Sequence, residues 1–330
     1  MTPFCTRLDL AHPIVQAPMA GVAHGDLAAA VSAAGGLGML GVRGDASTDW
    51  VAEQAAIAAR GGRFGVGLLL WSLGDGALLG HVLEHGPALV SLSFGDPAPY
   101  VSRVHDAGAL VASQVQTVAA ARQALDAGVD VLVAQGTEAG GHTGSIATLP
   151  LLQQVLPLGA QAGVPVLAAG GIATGRAVAG VLTMGADAAW IGTRFAATRE
   201  AAFSAGAKDR ILAAESTDTV LTHVFDLVQE ADWPAQFPGR ALRNRLTDRW
   251  HGREEALADD LPDVQEQFRD AVARDDRDVA HVYAGQASGL VQDLPAAAEV
   301  LTALMDEAAT SLQRVAALLG DTGAGGHLSR

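Results

Sequence analysis

The stretch Val133–Gly144, VAQGTEAGGHTG, sets His142 directly behind Gly140 and Gly141, just past an apolar run. Glycine lets backbone come close to a ligand, and an imidazole takes up or releases a proton near neutral pH. Together they read as a ligand loop that carries an acid–base group. Two more glycine turns follow apolar runs: Gly170 and Gly171 in LAAGGIATGR, and Gly192 with Thr193 in WIGTRF. Backbone N–H groups at such turns bind an anion without side-chain charge. The pair reads as the seat of a phosphate-bearing cofactor. Arg194, beside them, fits a phosphate contact and an outward-facing surface position equally well. Gln16, Ala17, Pro18 and Met19 end the first apolar run. A small residue followed by proline leaves a flat, donor-poor backbone against which an aromatic ring can lie. Gln114 and Gln135 end two further runs. A buried amide needs partners, and either the edge of a heterocycle or neighbouring backbone would supply them.

All of these residues fall at the C-terminal ends of candidate strands. Eight short apolar runs, 13–18, 37–41, 64–70, 88–94, 109–114, 130–135, 165–169 and 186–192, alternate with alanine-rich stretches. Near-continuous apolar strands suit a parallel sheet covered on both faces. Helices are expected at 26–34, 49–59, 99–107, 117–127, 149–162, 175–184 and 199–205, and Gly35, Gly108, Gly128, Gly163 and Gly185 fit the glycine that ends a helix. Eight strand–helix units predict an α/β fold of the (β/α)8 TIM-barrel type; a doubly wound sheet, the competitor, usually has fewer strands. In a barrel the chemistry gathers at the C-terminal rim, and the loops after the last two strands commonly hold phosphate.

The rhythm stops near Ile211, where Asp, Glu and Arg become dense and Trp233, Phe237, Trp250 and Phe268 appear. The division expected is a cofactor-binding barrel over 1–211, a mostly helical insertion or cap over 212–290, and C-terminal helices over 291–330 that pack back on the barrel and end in a frayed tail. Val300, Leu301, Leu304, Ala308, Leu312, Val315 and Leu319 would form their apolar face.

Composition removes several classes of function. The net charge of −15 and the lack of any basic run argue against nucleic acid and against an anionic membrane surface; Lys208 is the one lysine. The most apolar stretch, 27–42, is interrupted by Gly35-Gly36 and is too short to span a bilayer. Cys5 is the single cysteine, so neither an intrachain disulfide nor a cysteine metal cluster can form, which fits a cytoplasmic protein. The first residues, MTPFCTRLDL, lack the apolar core of a signal peptide. GLGMLG at 36–41 matches the dinucleotide pattern G-x-G-x-x-G, but a helix precedes it and its glycines fall inside a strand. HVLEH at 81–85 matches a zinc pattern, but it lies before a strand, at the face away from the chemistry, with no third ligand in sight; no metal is expected.

The blocks PIVQAPMAG, VSLSFGDP, VDVLVAQGTEAGGHTG, PVLAAGGIATGRAVAGVLTMGADAAWIGTRF and VYAGQASGL, in this order, resemble the FMN-dependent nitronate monooxygenases, formerly 2-nitropropane dioxygenases. The resemblance covers 13–205 well and 234–291 more loosely. It implies a (β/α)8 barrel with a helical insertion and FMN as cofactor. It implies that Ala17, Pro18 and Met19 lie along the flavin ring, that Gln114 and Gln135 meet its polar edge or ribityl chain, and that Gly140 and Gly141 let the chain approach the ring. Gly170, Gly171, Gly192 and Thr193 would hold the phosphate, His142 would be the catalytic histidine, and Tyr283 and Gln286 would close the substrate pocket. Thr143 stands where many members carry arginine, and Gly67 where some carry a polar residue on the ring. The reaction implied is oxidation of a nitronate or nitroalkane with O2 to a carbonyl compound and nitrite, His142 acting as base or orienting the substrate. Rival readings are an NAD(P)H-dependent flavin reductase, acting on enoyl thioesters or quinones, and a non-catalytic flavin-binding protein. A homodimer is left open.

Overall fold

In the computed structural model, which describes residues 1–321, eight parallel strands close into a barrel: β1 (Ile14–Gln16), β2 (Gly38–Gly41), β3 (Phe64–Leu69), β4 (Leu89–Ser93), β5 (Leu110–Val115), β6 (Val131–Gln135), β8 (Val166–Ala169) and β9 (Ala188–Ile191). The sheet runs β1-β9-β8-β6-β5-β4-β3-β2, and the bridge from Val15 to Leu37 joins its two ends. All eight expected strands form. Helices α2 (Gly25–Ala33), α3 (Thr48–Ala58), α4 (Ala77–Leu83), α5 (Ala98–Asp106), α6 (Val118–Asp126), α7 (Thr148–Ala162) and α8 (Gly175–Thr183) alternate with them. The five glycines expected to end helices all lie at positive φ. The helix expected at 199–205 does not form. A short α9 (Thr193–Ala196) follows β9 directly, and α10 (Ala205–Ala213) starts only where the Ser204 side chain accepts from Ala207 N–H.

Two apolar layers hold the barrel. Inside, Val15, Leu37, Met39, Val131, Val133, Leu167 and Trp190 fill the lumen. Helix α1 (Pro3–Leu8) plugs one end of it with Phe4, Cys5 and Leu8, each at most 2% exposed. Arg7 of α1 pairs with Asp130, the residue before β6, so the plug sits at the N-terminal end of the strands, opposite the functional rim. Outside, residues such as Ile14, Leu40, Val66, Val90, Val111 and Leu132 face the helices. The G-x-G-x-x-G glycines serve this packing: a Cβ on Gly38 would stand 2.0 Å from the Ala28 carbonyl oxygen.

The segment after α10 holds α11 (Val224–Gln229), α12 (Arg245–Trp250) and α13 (Glu254–Ala273) around a core of its own, including Phe225, Trp250 and Phe268. It also holds two strands that the sequence reading does not anticipate, β10 (Thr219–Thr222) and β11 (Gly239–Leu242). They pair with each other, and β11 also pairs with β7 (Gly141–His142), which lies in the loop after β6. The described residues end in a single helix, α14 (Ala297–Asp321), packed on α8 and α2. Val300, Leu301, Leu304 and Ala308 are buried as expected, but Leu312 and Val315 are 40% and 44% exposed, because α14 outruns the helices it packs on. The Leu319 side chain, and residues 322–330 of the tail expected to fray, lie outside the described residues.

Candidate active site

The loop after β6 carries Gly140, Gly141 and His142, and the insertion holds it from behind. Gly239 of β11 pairs with His142, and Thr143 N–H donates to the Pro238 carbonyl at 3.2 Å. His142 is 8% exposed. Its Nε2 lies 2.8 Å from Oδ1 of Asp226 on α11, and the other oxygen of that carboxylate lies 3.1 Å from Nδ1 of His223. The His142 ring stacks on the Trp233 indole, centroids 3.4 Å apart and planes 5° from parallel. Its Nδ1 has no hydrogen-bond partner among the described residues. A lone pair lies in the ring plane, so an indole on the face leaves that nitrogen open at the edge.

Trp233 belongs to an aromatic group at the rim. It packs on Trp71 at 4.9 Å and on Phe94 at 5.1 Å, and Phe94 packs on Phe237 at 5.2 Å. Phe94 has φ +64°, a left-handed conformation that costs a non-glycine residue about 1–2 kcal/mol. Strain of this kind gathers at functional sites. Beside it, between the ends of β4 and β5, the start of α6 and Pro234–Phe237, opens a cavity of about 490 Å³ whose wall includes Gln114, Gln116 and Thr117.

Four glycine-bearing segments meet on the other side: the loop after β6, segment 284–286, the Gly170-Gly171 turn and the Gly192-Thr193 turn. A Cβ on Gly140 would stand 2.5 Å from Gly285 N and 2.6 Å from the Ala284 carbonyl carbon, so the loop after β6 touches segment 284–286 backbone to backbone. Gln286 N–H donates to the Glu138 carbonyl at 3.0 Å, and Gly285 N–H donates to the Thr193 hydroxyl at 2.9 Å. That hydroxyl still has its own proton to give. Gly170 and Gly171 follow one another at φ +104° and +72°. The N–H groups of Gly170, Gly171 and Gly192 meet no acceptor among the described residues. The Glu138 carboxylate accepts from the Thr148 N–H and hydroxyl, both at 2.9 Å. Arg240, 7% exposed, donates to the Thr137 carbonyl at 2.7 Å and the Thr219 hydroxyl at 3.0 Å; burial pushes its guanidinium below the usual range, and nearby Glu138 opposes this.

The donor set fits a flavin phosphate: free N–H groups on left-handed glycines and a threonine hydroxyl, reached from the half-exposed segment Ala17–Met19. Gly67 gives Pro18 its seat, since a Cβ there would stand 2.3 Å from Pro18 Cγ. Thr143 is fully buried, its hydroxyl donating to the Gly136 carbonyl. Gln135 spends its amide inside the protein, accepting from Gln116 Nε2 at 2.7 Å and donating to the His142 carbonyl at 3.2 Å. Gln114 donates to the Ser93 hydroxyl at 3.4 Å and lines the cavity. Arg194 is taken up by Asp293 at 2.6 Å. Tyr283 lies 5.5 Å from the His142 ring, and Gln286 is half-buried in the clasped segment.

The sequence model of a family described as nitronate monooxygenase matches residues 3–70 and 73–307. The chain belongs to that family. It is a flavin-dependent oxidoreductase. A nitronate monooxygenase of Neurospora crassa is 31% identical to it, over 92% of this chain and 91% of that one. Among solved structures, FabK of Thermotoga maritima superposes with a TM-score of 0.85 at 28% identity, over 96% of this chain and 99% of that one. A nitroalkane oxidase of Streptomyces ansochromogenes superposes with a TM-score of 0.79 at 30% identity, over 94% and 99%. Among the described residues no helix is long and apolar enough to cross a membrane.

Sequence reading misses Asp226, Trp233, Gln116 and Phe94. Asp226 carries a usable signal, a carboxylate between apolar pairs in VFDLV. Trp233, in a Pro-rich loop, carries none.

Behind Tyr283, His281 packs between Phe268 at 5.6 Å and Tyr283 at 4.8 Å, its Nδ1 buried without a partner. Burial, with Arg277 adding to it, pushes its pKa down to about 4. Below pH 6.5 the unfolded chain therefore takes up a proton that the native state refuses. Stability from this site is whole above pH 6.5 and falls away between pH 6.5 and 4, by on the order of 3 kcal/mol. Urea unfolding across that window should show the loss, and His281→Phe should flatten it. A wild-type slope that the variant leaves unchanged would exclude His281 as the source.

Proposed function

We propose that the protein binds FMN and oxidises alkyl nitronates, and the nitroalkanes from which they form, with O2 as acceptor, to a carbonyl compound and nitrite. The observation that carries this reading is the His142 imidazole: one nitrogen fixed on Asp226, the other unclaimed, in a loop of left-handed and close-packed glycines. A nitroalkane is a carbon acid, and a general base must stand within hydrogen-bond reach of the proton it removes. His142 Nδ1 takes that proton at the ring edge. The Asp226 carboxylate and the Trp233 π-face both stabilise the positive charge that results. For a nitronate, already ionised, the same ring orients the anion. Gly170, Gly171, Gly192 and Thr193 would hold the phosphate, and Ala17, Pro18 and Met19 would lie along the ring system. Bound flavin supplies the electron-transfer and oxygen chemistry. The segment carrying Trp233 and Phe237 roofs the rim and limits water there.

The structural likeness to FabK, and a 29%-identical dehydrogenase of Mycobacterium tuberculosis that acts on an indene-carboxyl-CoA, favour a second reading, an NAD(P)H-dependent reductase. One experiment separates the two. The purified protein should be yellow and release FMN on heating. Mixed without oxygen, it should be bleached by propyl nitronate and not by NADH. Rapid bleaching by NADH with indifference to nitronate would reverse the assignment. A colourless protein that takes up no FMN would remove both.

A further inference from the structure

The His142–Asp226–His223 chain holds more than the proposed reaction requires of a lone base. Asp226 is 6% exposed, and both its oxygens are spent, Oδ1 on His142 at 2.8 Å and Oδ2 on His223 at 3.1 Å. No Arg or Lys pairs with it among the described residues. A carboxylate buried without a fixed cation is costly, and here only two imidazoles offset it. Its helix is anchored independently, by Val224, Phe225 and Val228 in the insertion core. The carboxylate is therefore placed by packing, and the imidazole is placed by the carboxylate.

We propose that Asp226 is the positioning residue of the site: it fixes the His142 tautomer with the proton on Nε2, so that Nδ1 is the atom that accepts the substrate proton, while His223 anchors the second carboxylate oxygen from the surface side. The tautomer follows from donor logic. An ionised carboxylate only accepts, so the nitrogen 2.8 Å from it carries hydrogen. The other nitrogen of a neutral ring is then the acceptor. The proton moves from the substrate carbon to Nδ1, the carbon keeps the electron pair as nitronate, and the imidazolium is held against Asp226. Two other titratable groups face this carboxylate, Tyr283 and His281, both on the segment after α13, with Arg277 beyond His281. His223 is the most exposed of the set, its side chain 37% accessible.

This rests on His142 being the base, and its test separates the two ideas. Two-bond ¹H–¹⁵N spectra of ¹⁵N-histidine protein, assigned with His142→Gln, report the tautomer directly and need no turnover. The Nε2–H form is expected in the wild type; an Nδ1–H form overturns the proposal whatever the enzyme does. Kinetically, Asp226→Asn keeps the shape and removes the charge. It should lower kcat for neutral nitroethane by about 100-fold and leave ethyl nitronate within about threefold, because the nitronate needs no proton removed. His223→Gln should lower the nitroethane rate less, by about three- to tenfold. Equal losses on both substrates, or none, overturn the positioning role. If His142→Gln also leaves nitroethane turnover intact, the general-base reading falls with it; if that variant alone loses turnover, only the role of Asp226 falls.

Discussion

His142→Gln should cut nitroethane turnover by about 10²–10⁴-fold, the usual contribution of a positioned general base, while the protein stays yellow. Glutamine is chosen because its side-chain amide can still donate to Asp226 where Nε2 now lies, 2.8 Å away. Alanine would strand a carboxylate that is 6% exposed and would mix a folding defect with the chemical one, since an uncompensated buried charge costs several kcal/mol. Glutamine has no basic nitrogen, so the loss should fall on proton removal. With ethyl nitronate the same variant should lose far less, and what remains measures how much the imidazole does by orienting the anion. Steady-state kinetics on both substrates, with flavin content measured per chain, check this. Nitroethane turnover within a factor of three of wild type, at full flavin content, would remove His142 from the chemistry.

Gly140→Val should yield a colourless and less stable protein. The loop after β6 and segment 284–286 meet with no side chain between them: a Cβ on Gly140 would stand 2.5 Å from Gly285 N, and one on Gly285 would stand 2.5 Å from the Glu138 carbonyl oxygen. Neither backbone can rotate away as a side chain could. The same contact is tied by Gln286 N–H on the Glu138 carbonyl and by Gly285 N–H on Thr193, at the turn after β9. Prying it open therefore displaces the loop after β6 and the turn after β9 together. Overpacking of this kind costs about 3 kcal/mol, and the loss of visible absorbance should exceed what that destabilisation alone explains. Flavin content after gel filtration and the urea midpoint measure the two effects. A yellow variant with an unshifted midpoint would show that the clasp is not needed.

The barrel was legible because its strands are buried on both faces and read as apolar runs with glycine punctuation. Leu37–Gly41 and Pro165–Ala169 needed no partner information to be found. The loop glycines and His142 were legible for a related reason, since each follows such a run within a few residues. The clamp around His142 was not. Asp226 lies 84 residues further along, on a six-residue helix, and β7 and β11 are too short to show a period of two. Such pairing is set by tertiary closure. Gln135 teaches the same lesson. Its place at a strand end was readable, but its two protein partners, Gln116 and the His142 carbonyl, come from loops whose approach no local pattern encodes. Helix 199–205 failed because alanine-rich composition favours a helix wherever a cap permits one, and the cap is Ser204.

Phe94 sets selection for heat resistance against selection for rate. Its left-handed backbone is relieved by glycine, so a screen scored on survival after heating is drawn to Phe94→Gly. That exchange removes the ring on which both Trp233 and Phe237 lean, and with it the brace that keeps the indole flat on the imidazole. Libraries built for robustness should hold this codon fixed and seek their gains at the far pole of the molecule, around the α1 plug.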